Sequence, residues 1–280
     1  MKIFSLGEEA IRPRILMIDF KNEDAQALRD CGYKVYLGNS GFENGVLNIP
    51  IEPHRVDIVI YRAAYNVRVP KPGEVINLFS ITNYKSQTYT FQGEKEGKVL
   101  YSYPELASNS RLKYDNFYIL TRNVLDKGGS ILVFLGDIRI QEDEKLMRAL
   151  LMTEEGSVYR SGGLEKEYEL SFNCDPSIDL GDYFKNLITG KIGHNVNFLR
   201  GIPYEDLQSS NYDDDKEFYA SDENDIVYAY FKNRGDNGNL ILLPDYKSAN
   251  IDIIKHVLSK LPSFSPNGLF SKNYAGEGWL

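Results

Sequence analysis

The sequence predicts an α/β fold built on a doubly wound, mostly parallel sheet, with a late β-hairpin and a polar side lobe. Three observations predict it. RILMIDF (14–20), VDIVIYRAA (56–64), SILVFLGD (130–137) and NLILLPD (239–245) are short apolar runs without alternation, the pattern of strands buried on both faces. A helical segment separates the first two β segments, which implies a parallel crossover. RGDNG (234–238) joins two late β segments and carries the Asn-Gly pair that favours a positive-φ turn.

The elements follow in order. After RILMIDF, NEDAQALRDCG (22–32) reads as a helix: Asn22 can cap it, Glu23 and Asp24 favour its first turn, and Gly32 stops it. YKVYLGN (33–39) is a second strand and VDIVIYRAA a third. GEVINLFSITNYKSQ (73–87) fits helix and strand alike, whereas KVLYSYPE (98–105) reads as a strand. LKYDNFYILTRNVLDKGG (112–129) has near-helical apolar spacing and a glycine stop, and EDEKLMRALLM (142–152) is a helix with acids at its start.

Residues 153–225 are polar and rich in Gly, Asp and Asn, with one helix expected in DLGDYFKNLITG (179–190). They read as an insertion or side lobe of a single α/β domain spanning 1–280. DIVYAYFKN (225–233) and NLILLPD form the hairpin, and SANIDIIKHVLSKLP (248–262) is the closing helix. The apolar ending Trp279-Leu280 fits either a tail docked on the core or the N-terminal part of a longer protein.

Composition narrows the function classes. The chain has 280 residues and a net charge of −8, so a polyanionic duplex or membrane surface would need a local basic patch. The densest cluster, Lys95, Lys98, Arg111 and Lys113, is interleaved with Glu94, Glu96 and Glu105, and nucleic acid is disfavoured. Cys31 and Cys174 are too few for a disulfide framework or a zinc site, which suits a cytoplasmic setting. MKIFSLGEEAIRPR lacks the uninterrupted apolar stretch of a signal peptide, and the longest apolar runs are too short to span a membrane.

No phosphate-binding glycine motif is present. Gly128-Gly129 follow a helix and precede a strand, the reverse of a phosphate cradle, and read as a helix C-cap. No Ser or Cys sits on a strand-to-helix elbow. Asp19, Asp137 and Asp245 each end a core strand, the edge where open α/β sheets bind ligands. They are the candidate ligand-binding residues; the competing reading is that each caps the following turn or helix. His194, in the Gly-rich GKIGHNVN, is a further candidate, while His54 and His256 have no ligand spacing. No metal site and no cofactor are expected. YDDDKE (212–217) reads as a solvated charge run, and the aromatics of YKSQTYTF as sheet packing.

RILMIDF, DIVIYRA, LDKGGSILVFLGD and the hairpin VYAYFKNRGDNGNLILLPD together resemble the class I glutamine amidotransferase-like superfamily, especially its ThuA-like domains. The resemblance covers most of the chain and is carried by fold signatures. Catalytic members carry a cysteine on an elbow and a downstream His-Glu pair. This chain has no matching cysteine and no His-x-Glu, so the resemblance implies a non-glutaminase copy and carries over no site residue.

The functional expectation is a non-catalytic recognition domain of a bacterial cytosolic protein, a small-ligand sensor or a protein-interaction module. Its partner is an unknown small ligand or protein, and a homo-oligomer is compatible with the sequence. The alternatives are a hydrolase or transferase using carboxylates at the strand ends, and a structural scaffold.

Overall fold

The computed structural model describes residues 13–38, 50–51, 55–63, 75–80, 85–95, 98–101, 120–121, 123–125, 127–136, 159–160, 170–193, 200–208, 216–233 and 238–260. Its elements run β1 (Arg14–Ile18), α1 (Asn22–Asp30), β2 (Lys34–Gly38), β3 (Ile58–Ala63), β4 (Val75–Ser80), β5 (Lys85–Lys95), β6 (Lys98–Tyr101), β7 (Ser130–Leu135), β8 (Tyr159–Arg160), β9 (Ser171–Cys174), α2 (Gly181–Ile188), β10 (Arg200–Pro203), α3 (Tyr204–Gln208), β11 (Lys216–Ser221), β12 (Ile226–Asn233), β13 (Asn239–Pro244) and α4 (Asn250–Lys260). A 3-10 turn at Lys247–Ala249 leads into α4.

The fold is a mixed α/β sheet of ten strands, ordered β2-β1-β3-β7-β13-β12-β10-β8, with β11 beside β12 and β9 beside β11. β2, β1, β3, β7 and β13 are mutually parallel neighbours. The four apolar runs of the sequence therefore lie in one sheet. From β12 onward the pairing is antiparallel, beginning with the β12–β13 hairpin. A separate antiparallel sheet, β4-β5-β6, falls between β3 and β7 in the chain.

The central parallel strands β1, β3, β7 and β13 are mostly apolar because both faces are covered. Ile15, Met17, Ile58, Ile60, Leu132, Phe134, Ile241 and Leu243 form one core with α1, α2 and α4, through Leu28, Phe184, Leu187, Ile254 and Val257. Leu16, Ile18, Val59, Tyr61, Ile131, Val133, Leu240 and Leu242 form the other, with Leu120, Val124 and Leu125 of the helical turn before β7 and Leu207 of α3. Burying each such side chain contributes about 1.5–3 kcal/mol.

Local chemistry sets the boundaries. The helical turn before β7 closes at Gly128: its N–H donates to the Leu125 carbonyl (2.8 Å) and that of Gly129 to Val124 (2.9 Å). With Gly128 at φ 73° this is a Schellman closure. The same closure ends α1 at Gly32 and α2 at Gly190. α1 starts one residue earlier than an Asn22 cap would give. Lys21 is the cap position, and its N–H is taken by the Asp24 carboxylate (3.1 Å). Gly238 (φ 78°) lies so close to Gly128-Gly129 that any Cβ would overlap the Gly129 carbonyl. At the end of the sheet order, the Arg29 guanidinium of α1 donates twice to the Val35 carbonyl of β2 (2.9 and 3.2 Å).

Candidate functional site

All the parallel strands end on one edge of the sheet, and ladder register fixes what stands there. Ile18 of β1 pairs with Tyr61 of β3, so Asp19 and Arg62 each come next after the last paired residues of their strands. Arg62 pairs with Phe134 of β7, and Phe134 with Leu243 of β13. Asp245 follows two residues later. Asp19 holds a left-handed backbone, φ 65°, and its N–H donates to the Gly38 carbonyl (3.1 Å).

Asp245 is the best defined group. Its Oδ2 accepts Arg62 Nε at 3.0 Å, a bond that passes over the end of β7 to join strands two apart. Its Oδ1 accepts the Lys247 N–H (2.9 Å) and Asn250 Nδ2 (2.6 Å). Asn250 Oδ1 in turn accepts the Tyr246 N–H (2.8 Å). The Arg62 and Asp245 side chains are 18% and 11% exposed, so the pair is shielded from water without being sealed. Asp245 thus performs the capping role that competed with ligand binding in the sequence, with an ion pair added to it.

The edge separates Asp19 from Asp245. From β1 through β3 and β7 to β13 is three strand steps, about 14 Å at roughly 4.8 Å per step. Among the described residues no three His, Cys, Asp or Glu side chains gather as a metal site would require. Asp137 and His194 lie outside the described residues, as does His54. Sequence reasoning passed over Arg62; the available signal was a cation at the very end of an apolar run.

Two further polar clusters knit the sheet together. At the opposite edge the Arg14 guanidinium grips Asp57 with two bonds (3.0 and 3.1 Å), and the Arg14 N–H adds a third at 2.8 Å. Burial pushes the neighbouring Lys127 amine down, Asp57 pulls it back up, and Arg14 adds to the depression. Asn239 Nδ2 donates to Ser130 Oγ (2.9 Å), tying β13 to β7. The second cluster surrounds Lys232 of β12, which is fully buried and lies 3.6 Å from Glu217 Oε1 of β11. Glu217 also accepts the hydroxyls of Tyr204 and Tyr230, both at 3.0 Å. Lys232 and Glu217 are direct partners in the β11–β12 ladder, so the pair favours that register.

Both thiols are exposed. Cys31 follows the carbonyl end of α1 and donates to Ala27 O (3.3 Å). The Cys174 thiol is pushed up by burial and then by Asp182 and Asp175, which favours the unreactive protonated form. His256 of α4 stacks on Tyr183 of α2, ring centroids 3.8 Å apart. Burial, then Lys260, holds its imidazole below the usual histidine range. Among the described residues no helix is long and apolar enough to cross a membrane. Comparison with protein-family models and with curated proteins finds no match to this chain.

Proposed function

We propose that the chain is a non-catalytic recognition domain that binds a small polar ligand at the carboxyl edge of its parallel strands. The reading takes the core as doubly wound, flavodoxin-like or amidotransferase-like, a ThuA-like relative without the glutaminase residues. The observation that carries it is the Arg62–Asp245–Asn250 network. It fixes charged and polar groups on rigid strand ends, at the edge where open α/β sheets take their ligands. Asp245 already accepts three hydrogen bonds, leaving about one of its four acceptor directions, so it suits holding better than proton transfer. The two thiols, one pushed up by burial and one at a helix carbonyl end, support recognition over thiol chemistry.

The test is thermal melting of the whole chain against nucleotides and divalent cations. A saturable rise in Tm of several degrees, reduced in Asp245→Asn, is the expected result. If no compound raises Tm at millimolar concentration, the sensor reading fails. Changing Cys31 and Cys174 together to Ser should leave the ligand-induced rise intact. Loss of that response in a folded double variant would point to a cysteine-dependent site.

A further inference from the structure

We infer that the ligand of this edge is an anion, a phosphate or carboxylate, and that Arg62 is its anchor. The inference rests on the proposed carboxyl-edge site and names the chemistry that site would take.

A guanidinium has five N–H donors in a planar fork. Arg62 spends only Nε on Asp245, and its Nη amines make no hydrogen bond to the described residues. The side chain is nevertheless four-fifths covered, since 18% of it is exposed. A guanidinium withdrawn from water this far, with its paired Nη edge unspent among the described residues, matches the two oxygens of a carboxylate or phosphate. The Asp245 carboxylate holds the guanidinium from the Nε side and is itself fixed by the Lys247 N–H and Asn250, so the fork is oriented before a ligand arrives.

One neighbour adds to the charge of this edge. Lys247, whose side chain is exposed, donates its backbone N–H to Asp245, so a second cation is tethered to the turn that follows β13.

The test uses the whole chain at constant ionic strength and reads both Tm and calorimetric binding. Adenosine monophosphate and glucose 6-phosphate form the phosphate arm, malate the carboxylate arm, and adenosine, glucose and magnesium chloride the controls. Chloride-matched salt removes the general stabilisation that excluded anions give any protein. We expect at least one anion to raise Tm saturably by about 5 °C while its neutral counterpart does nothing. Arg62→Lys keeps a cation for Asp245 but loses the fork, and should weaken binding at least tenfold. Lys247→Gln, on an exposed side chain, should weaken it a few-fold with the melting of the free protein unchanged. A response to a neutral compound or magnesium alone overturns the inference and leaves the edge as a site for another ligand. An anion response undiminished in both variants also overturns it. No response to any compound overturns both the inference and the proposed function.

Discussion

Asp245 shows how one side chain can serve fold and site together. Its removal should be felt in stability before any ligand is present. Asp245→Ala strands Arg62 and frees the Lys247 and Asn250 donors, and should cost about 2–4 kcal/mol in urea melts. Asp245→Asn keeps an oxygen for the Lys247 N–H and should cost about half as much, because Asn caps nearly as well as Asp. Equal losses for the two would mean that the ion pair carries all the stability. His256 makes a prediction of a different kind. Its imidazole is held below the ordinary value of about 6.5 by burial and then by Lys260. Just below that value the unfolded chain binds a proton that the folded chain refuses. Stability is therefore full above pH 6.5 and declines as the pH falls through the window beneath it. His256→Phe keeps a ring against Tyr183 and cannot titrate. The drop in Tm between about pH 7.5 and 5.5 should be smaller in this variant than in the unmodified chain, and an equal drop would place the titrating group elsewhere.

Elements differ in how openly the sequence announces them. α1 and the helical turn before β7 were legible because their stops are local chemistry: Gly32 and Gly128 stand where only a left-handed residue closes the carbonyls. The start of α1 was misread by one residue, since the cap is an Asp24 carboxylate reaching back and not an Asn22 side chain. β9 was missed because most of it is exposed, and β11 because its buried residues alternate with polar or half-buried ones, so neither Ser171–Cys174 nor Lys216–Ser221 carries an apolar run. The Arg62–Asp245 pair was beyond reach for another reason: its members are 183 residues apart, and only sheet order brings them together. At this scale the Lys232–Glu217 pair can be tested. Glu217→Ala takes one partner from the fully buried ammonium and from two tyrosine hydroxyls, and should cost about 2–4 kcal/mol. The double change Lys232→Met, Glu217→Leu removes both charges and should cost much less. If the double variant is as unstable as the single, the pair stabilises by more than compensating itself.

At the scale of the whole molecule, stability is concentrated in the parallel strands that the apolar runs foretold. Leu132 faces one core and Leu242 the other, at 3% and 1% exposure. Either change to Ala should cost about 2–5 kcal/mol, from lost burial plus a cavity. A loss below about 1 kcal/mol in a denaturant melt would mean that the strand is peripheral. The amino edge of the sheet is less forgiving. Gly129 and Gly238 touch backbone to backbone, so Gly238→Ala must push β13 away from β7 and should lower Tm more than either leucine change.

The guanidinium that α1 lays on β2 has a consequence beyond one molecule. A strand at the end of a sheet shows bare carbonyls and amides, and at high concentration those are an invitation to neighbouring chains to stack. Arg29 occupies the carbonyl of Val35 with two of its own donors and sets a positive charge on that rim. An incoming backbone finds the acceptor taken and must also displace a cation. We expect this contact to hinder pairing along that rim. Arg29→Ala should therefore leave the melting of the protein only slightly changed and raise light scattering on gentle heating, while Arg29→Lys, with a charge but no fork, should fall between the two.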